Sequence, residues 1–339
     1  MLRKLLIVCL LLLVVIFIYR SFSFSPELVS FSGPTMGTTY TVKLYTNEKI
    51  KNANFIKSDI DEVLYQVNKS MSTYDPASEL SLFNQAEIGY ATNISSDLAY
   101  VINEALFISE QTVGVYDVTV GPLSNLWGFG PNKQLDRVPS EEEIESAKKK
   151  VGYHFLTLES LQLTKSNDIY VDLSSIAKGY GVDMIARKLD QLSIDSYLIE
   201  VGGEIRTKGV KEDGNYWRVA IEGPNGGHNV AQRVIELHGV SIATSGDYRN
   251  YFEVDGVRYS HLINPKVGKP ITHKLVSVTV IAKNATLADG YSTAISILGA
   301  DEGLIFAEKY ELSIYMLVKT DFGFIEKYSS KFESYLDLP

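Results

Sequence analysis

Cysteine is all but missing from this chain: the single one, Cys9, lies in an N-terminal apolar run. The rest of the protein therefore has no disulfide, no thiolate metal site and no cysteine nucleophile. Such a composition suits an oxidising compartment without requiring one. Histidine is scarce too, with five in 339 residues, and no pair has a zinc-motif spacing such as HExxH. Positive charge is in deficit. Lys and Arg total 32 against 41 Asp and Glu, for a formal net charge of −9, so nothing in the composition points to a nucleic-acid binder, which needs clustered Lys and Arg. There is no internal repeat and no low-complexity stretch.

Long apolar runs are limited to one. Arg3 and Lys4 precede an unbroken stretch from Leu5 to Tyr19. Its length is at the upper end for a signal-peptide core and short of the roughly 17–25 residues that span a bilayer. Residues 1–25 are expected to act as a cleaved signal or an uncleaved anchor. Either way the domain that follows is exported and the basic end stays in the cytoplasm. Ser21-Phe22-Ser23 offers a small-x-small cleavage site. Val8 precedes Cys9 deep inside the run, which does not read as a lipidation signal. The expected location is the periplasmic face of a bacterial inner membrane.

What is present is ordinary globular composition, 45% hydrophobic and 22% charged, enough for one large domain or two smaller ones. Tyrosine is plentiful at 21. Half-exposed strand positions account for that, and so does a surface that stacks on a flat ligand. After a Ser/Phe/Pro/Gly linker at 20–33, Thr39–Tyr45 alternates with Tyr40, Val42 and Leu44 on one face, predicting a strand. Ile60, Val63, Leu64, Val67 and Met71 recur at helical spacing, predicting a helix over Ser58–Met71 with Ser58 as N-cap. Ser95–Thr112 predicts a second helix, closed by Gly114. Ser140–Lys150 begins with glutamates and ends with lysines, as the helix dipole favours, and reads as a solvated surface helix.

Beyond residue 155 strands dominate, over Ile169–Leu173, Ser196–Val201, Trp217–Ile221, Gln232–Leu237, Val276–Ala282 and Ser313–Lys319. Helices near 174–190, 287–298 and 301–310 are interleaved. Gly-containing turns at Val201-Gly202-Gly203, Gly223-Pro224-Asn225-Gly226-Gly227 and Asp255-Gly256 separate the elements, the last a hairpin signal. The expected class is mixed α+β with largely antiparallel sheets.

Four stretches carry chemistry. In VDLSSIAKGYG, residues 171–181, Asp172 ends a predicted strand and Ser174 or Ser175 caps the next helix. Gly179 and Gly181 fall in that helix's first turns, where each costs about 1 kcal/mol against alanine and so points to close backbone approach. A helix N-terminus beside Lys178 suits phosphate, though on these residues alone a capped helix packed on a neighbouring strand is the stronger reading. In ADGYST, Asp289 opens a helix with Thr293 one turn on, two hard oxygens that suit Mg²⁺ or a simple cap. His261, in YSHLINP, sits in a loop, a usual place for catalytic groups. The loops MSTYDP and YDVTVGP, with NLWGFG after them, expose aromatics that stack on a planar ring or plug the core.

Taken together and in order, these stretches resemble the ApbE family of FAD:protein FMN transferases. The resemblance runs through PTMGT, MSTYDPASELSLFN, YDVTVGPLSNLWGFG, VDLSSIAKGYGVD, YLIEVGGEIRTKG, WRVAIEGP, SIATSGDYRNYF, YSHLINPKVGKP and NATLADGYSTAISILG. It covers roughly residues 30–335, expected to form the transferase domain with an ApbE-like, T-fold-related fold. It implies an exported enzyme that cuts FAD between its phosphates with Mg²⁺. The FMN half would pass to a threonine or serine hydroxyl of a target protein, and AMP would leave. The implied targets are subunits of Na⁺-translocating NADH:quinone reductase or Rnf-type complexes. The FAD site would comprise Met36, Tyr74, Tyr116, Asp117, Val118, Asp172, Lys178, His261, Ile263 and Ser292. Ser175 would offer a backbone carbonyl to the metal, and Asp289 and Thr293 their side chains. Lys178 would meet the phosphates, His261 would be the base and Asp247 its fallback. A periplasmic FAD pyrophosphatase and a non-catalytic FAD-binding protein are the alternatives.

Overall fold

The computed structural model describes residues 27–46, 53–131, 137–223, 231–246 and 250–336. The leader, Asp247 and most of the 223–227 turn lie outside the described residues. Among the described residues no helix is long and apolar enough to cross a membrane.

The centre of the molecule is an eight-stranded antiparallel sheet whose strands lie side by side in chain order. They are β1 (Glu27–Thr35), β2 (Thr38–Thr46), β3 (Ser196–Val201), β4 (Glu204–Lys208), β5 (Ser241–Gly246), β6 (Leu275–Ala282), β7 (Ser313–Thr320) and β8 (Gly323–Tyr328). Five longer helices accompany it: α1 (Ala53–Met71), α2 (Ser96–Gln111), α3 (Ala177–Gln191), α4 (Ala285–Leu298) and α5 (Ala300–Lys309). The mixed α+β class with antiparallel sheets follows the sequence expectation.

Both sheet faces are covered, which explains the near-continuous apolar runs of β6 and β7. Val278, Val280, Ile314 and Met316 face the main core with α2 and α4. Ile281, Tyr315 and Leu317 point the other way, onto the 217–222/231–237 hairpin and Phe332. On β2 the predicted face holds, with Tyr40, Val42 and Leu44 fully buried. Met36 and Gly37, both at positive φ (46° and 71°), make the tight β1–β2 turn. The Met36 backbone is strained there by about 1 kcal/mol.

Several local expectations shift. α1 starts at Ala53, so Ser58 is interior rather than a cap. Ile56 extends the buried row of Ile60, Leu64, Val67 and Met71 by one turn. Ser95 does cap α2, its hydroxyl accepting from the Leu98 N–H at 3.2 Å. The 140–150 helix spans Glu141–Lys148 with a Ser140–Glu143 capping box. Asp255 and Gly256 form the positive-φ turn of the 251–254/257–260 hairpin. Ile169–Leu173 is not a ladder strand; it makes one isolated bridge, Val120 to Tyr170. Its alternation is real, with Ile169, Val171 and Leu173 buried. Its backbone is claimed by other partners, however. The Asn84 side-chain amide bonds both the N–H and the carbonyl of Val171, and the Asp172 N–H donates to the Val118 carbonyl at 2.7 Å.

α3 and α4 are locked together by Asp183. Its carboxylate accepts from the Ala285 N–H (3.0 Å), the Thr286 N–H (2.9 Å) and the Thr286 hydroxyl (2.7 Å), and pairs with Arg206 at 2.6 Å. One acid thus satisfies the N-terminal amides of α4 from a neighbouring helix. Replacing it with alanine strands those donors and the guanidinium. Asp183→Ala should lower stability by about 2–3 kcal/mol, measured as a shift of the urea midpoint at unchanged slope.

Candidate functional site

The sheet opens where the site forms. β4 pairs with β5 only through Ser241–Arg206 and Ile242–Ile205. Past that point Thr244, Ser245 and Gly246 diverge from the β3–β4 turn. The notch between them carries Gly202 and Glu204 on one wall and Thr244–Gly246 on the other. α3 and α4 close it from one side, and the loops around Tyr116, Phe129 and His261 from the other. The result is a cavity of about 360 Å³ with a half-polar lining. A second cavity of about 590 Å³ lies against Met36, Gly37, Val67, Asn68 and Met71. The two share Tyr74, Asp172, Ser174 and Lys178.

Lys178 occupies that junction. Its ammonium lies 2.9 Å from Glu204 Oε1 and 3.4 Å from Asp289 Oδ1. Burial would push its pKa down, but the carboxylates of Asp289 and Glu204 override burial and hold it above the usual lysine value. Glu204 is pushed up to about 8 by burial, with Lys178 pulling the other way. Asp289 is also buried, and its Oδ2 accepts from the Gly179 N–H at 2.9 Å. The α3 glycine explains that approach: a methyl on Gly179 would sit 2.1 Å from the Ala285 carbonyl oxygen. The expectation of close backbone approach there is met.

The helix starts differ from the sequence reading. α3 begins at Ala177 with Ile176 as its cap residue and no side-chain cap, so neither Ser174 nor Ser175 caps it. Asp172 instead holds the turn, accepting from the Ser174 N–H at 2.9 Å. Ser175 turns its hydroxyl to Tyr116 at 3.0 Å. Asp289 does not open α4; Asn284 caps it, accepting from the Leu287 N–H, and Asp289 sits in the second turn. That places Asp289 and Thr293 on one face, both reaching the cavity.

Among the described residues no group of three or more His, Cys, Asp or Glu side chains could hold a metal. Asp289, the Thr293 hydroxyl and the Ser175 segment offer a hard-oxygen set. Ser245 adds a hydroxyl 3.3 Å from that of Thr293 and 2.7 Å from that of Ser292.

His261 faces the same cavity. Its Nδ1–H donates to the Asn250 carbonyl at 2.9 Å, which leaves Nε2 as the basic nitrogen. Burial lowers its pKa below the usual histidine value, and Lys178 adds to that. The ring is therefore neutral at neutral pH. Phe129 packs edge-on against it, with centroids 6.3 Å apart.

A model of the ApbE family matches residues 36–317. The chain belongs to the ApbE family. It is 47% identical over 311 residues to the FAD:protein FMN transferase of Vibrio cholerae, covering 91% of this chain and 93% of that one. It is 39% identical to the Escherichia coli K12 enzyme of the same name, covering 91% and 90%. Its fold matches the crystal structure of the Pseudomonas stutzeri flavinyl transferase ApbE in apo form, with TM-score 0.87, 38% identity, and 94% and 99% coverage. The flavin transferase ApbE of Vibrio cholerae matches with TM-score 0.86 and 45% identity over 92% of this chain and 100% of that one. A histidine-to-glycine mutant of the same protein is similar to the same degree.

Against the residues carried over from the family, the geometry is selective. Tyr74, Tyr116, Asp117, Asp172, Ser175, Lys178, His261, Ile263, Asp289 and Thr293 line the first cavity, and Met36 lines the second. Val118 does not line either cavity. It is a core residue, 1% exposed, packed in the main hydrophobic cluster from the turn that follows Asp117. Ser292 is fully buried behind the wall, bonded to the Asp289 carbonyl at 2.8 Å. Asp117 spends its carboxylate on the Thr119 N–H and hydroxyl and on the Tyr153 N–H, so it shapes its loop. Asp247 lies outside the described residues. Glu204, Thr244 and Ser245 were missed. The signal for Glu204 was an acid directly after two glycines, both at positive φ in the β3–β4 turn.

Proposed function

We propose that this ApbE-family chain transfers the FMN half of FAD to a threonine or serine hydroxyl of a target protein and releases AMP. The observation that carries this reading is the pair of cavities joined at Lys178. A dinucleotide has two ring systems linked by a diphosphate, and two chambers meeting at a buried ammonium match that plan. The partly apolar second chamber, with Met36, Val67 and Met71, suits one ring system.

The donor set of Asp289, Thr293 and the Ser175 carbonyl fits Mg²⁺. When bound, it would supply charge neutralisation at the diphosphate. Lys178 sits where it neutralises the same charge and offers hydrogen bonds to the leaving phosphate. The acceptor oxygen attacks the FMN-side phosphorus, the bond from that phosphorus to the bridging oxygen breaks, and AMP leaves with the electron pair. His261 Nε2 takes the hydroxyl proton, with Asp247 the fallback base. Positioning supplies much of the rate for such a transfer.

We also propose that residues 30–335 form the transferase domain and that the leader exports it to, or holds it at, the periplasmic face of the inner membrane. There subunits of Na⁺-translocating NADH:quinone reductase or Rnf-type pumps are the acceptors. Incubation of the protein with FAD, Mg²⁺ and a candidate acceptor subunit tests the reading. AMP should appear together with an acceptor heavier by one FMN phosphodiester. AMP with free FMN and an unmodified acceptor identifies a pyrophosphatase, and absence of AMP identifies a non-catalytic binder.

The lowered histidine pKa gives a sign for pH. Transfer should rise with pH on the acid side and level off by neutrality, as His261 loses its proton below the usual 6.5 or so. His261→Gln should slow transfer about 10²-fold and remove that acid limb. An unchanged pH–rate profile in the variant rules His261 out as base.

A further inference from the structure

We propose that Glu204 is a positioning residue of the diphosphate site: it draws the Lys178 ammonium off Asp289 and leaves Asp289 Oδ1 open to a divalent cation. The proposal rests on the magnesium reading above.

The distances state the competition. Lys178 Nζ is 2.9 Å from Glu204 Oε1 but 3.4 Å from Asp289 Oδ1. Asp289 Oδ2 is committed to the Gly179 N–H. Oδ1 is thus the oxygen this carboxylate can turn to a cation, and the lysine is its rival for that oxygen. Glu204 is built to hold the rival. It follows two glycines at φ 60° and 109°, and a methyl on Gly202 would lie 3.1 Å from Lys178 Cδ and 2.9 Å from Thr38 Cγ2. The turn therefore packs directly on the lysine stem and presents the acid at its head.

Charge balance agrees. Two buried carboxylates, 5% and 3% exposed, share one ammonium. Among the described residues, Glu204 Oε2 is buried with no hydrogen-bond partner. A buried, unsatisfied carboxylate oxygen is expensive, and the Lys178 ammonium on the other oxygen is what offsets that cost. A purely structural role for Glu204, neutralising a buried lysine, predicts lost stability but no change in cation affinity.

Mn²⁺ binding to the full chain, followed by electron paramagnetic resonance without FAD, separates the two. Glu204→Gln should raise the Mn²⁺ Kd about 10–100-fold, the range for groups that orient a metal ligand. Glu204→Asp, which keeps the charge but shortens the reach, should fall between Gln and wild type. Glu204→Gln combined with Lys178→Gln should bind more tightly than Glu204→Gln alone, because the rival cation is gone. A wild-type Kd in Glu204→Gln, or a double variant no tighter than the single, overturns the proposal. Asp289→Asn is the reference. If it abolishes Mn²⁺ binding while Glu204→Gln does not weaken it, only the Glu204 role fails. If Asp289→Asn binds Mn²⁺ normally, the metal reading fails and this proposal with it.

Discussion

Asp289→Ala should lower FMN transfer by about 10³-fold, at the upper end for a single electrostatic donor in a water-poor site, and added Mg²⁺ should restore little of it. The carboxylate is the only ionised member of the proposed hard-oxygen set. It is also the second partner of Lys178 and the acceptor of the Gly179 N–H. Alanine removes all three functions, so the fold loses something as well, about 1–3 kcal/mol for a buried amide left unsatisfied. Asp289→Asn separates the roles. Its amide oxygen keeps the Gly179 bond while the charge is gone. The asparagine variant should therefore unfold close to wild type and yet transfer FMN no faster than the alanine variant. Initial rates of AMP release, with the acceptor's mass, check this. Wild-type rates in either variant remove Asp289 from the chemistry.

Gly179→Ala should destabilise the protein by about 3 kcal/mol. Helix propensity alone predicts the opposite sign, a gain near 1 kcal/mol. Packing decides. The new methyl would meet the Ala285 carbonyl oxygen at 2.1 Å, its carbon at 2.6 Å and Asp289 Cβ at 2.9 Å. Backbone cannot rotate away as a side chain can, so α3 and α4 must separate. Overpacking of this kind costs about 1–3 kcal/mol, and losing the Gly179–Asp289 bond adds about 1.5–3 more, since its acceptor is charged. Gly181→Ala is the internal comparison. There the nearest atom is Met36 Cε at 2.9 Å, the end of a flexible side chain, so the effect should be small. Urea unfolding of both variants tests the difference. A Gly179→Ala protein as stable as wild type means the helices have room that this geometry denies.

The sequence is most informative where physics is local. The alternation of Tyr40, Val42 and Leu44, the charge-ordered helix after Ser140 and the Asp255-Gly256 turn each depend on a few neighbouring residues, and each appears as read. The order of motifs likewise carried the family and placed most wall residues, because a loop held between two fixed elements keeps its exposed side chains on one side. Where reading failed, a distant partner overrode a local signal. Ile169–Leu173 alternates like a strand, yet Asn84, 87 positions away from Val171, takes its backbone bonds. Ser58 resembles a cap, but burial of Ile56 draws the helix past it. Val118, placed on the FAD wall by the resemblance, lies in a turn closed by the Val120 N–H to the Asp117 carbonyl and packs into the core.

The linear chain by itself determined the class, the turns, the helix faces and the set of chemical groups available. Only the tertiary structure decided which of those groups share a charge. Lys178 is 26 positions from Glu204 and 111 from Asp289, and no periodicity links them. They meet because β4 parts from β5 after two residue pairs, opening a notch beside two helices held close by a glycine. In that notch burial raises the energy of each charge, and so fixes their pairing.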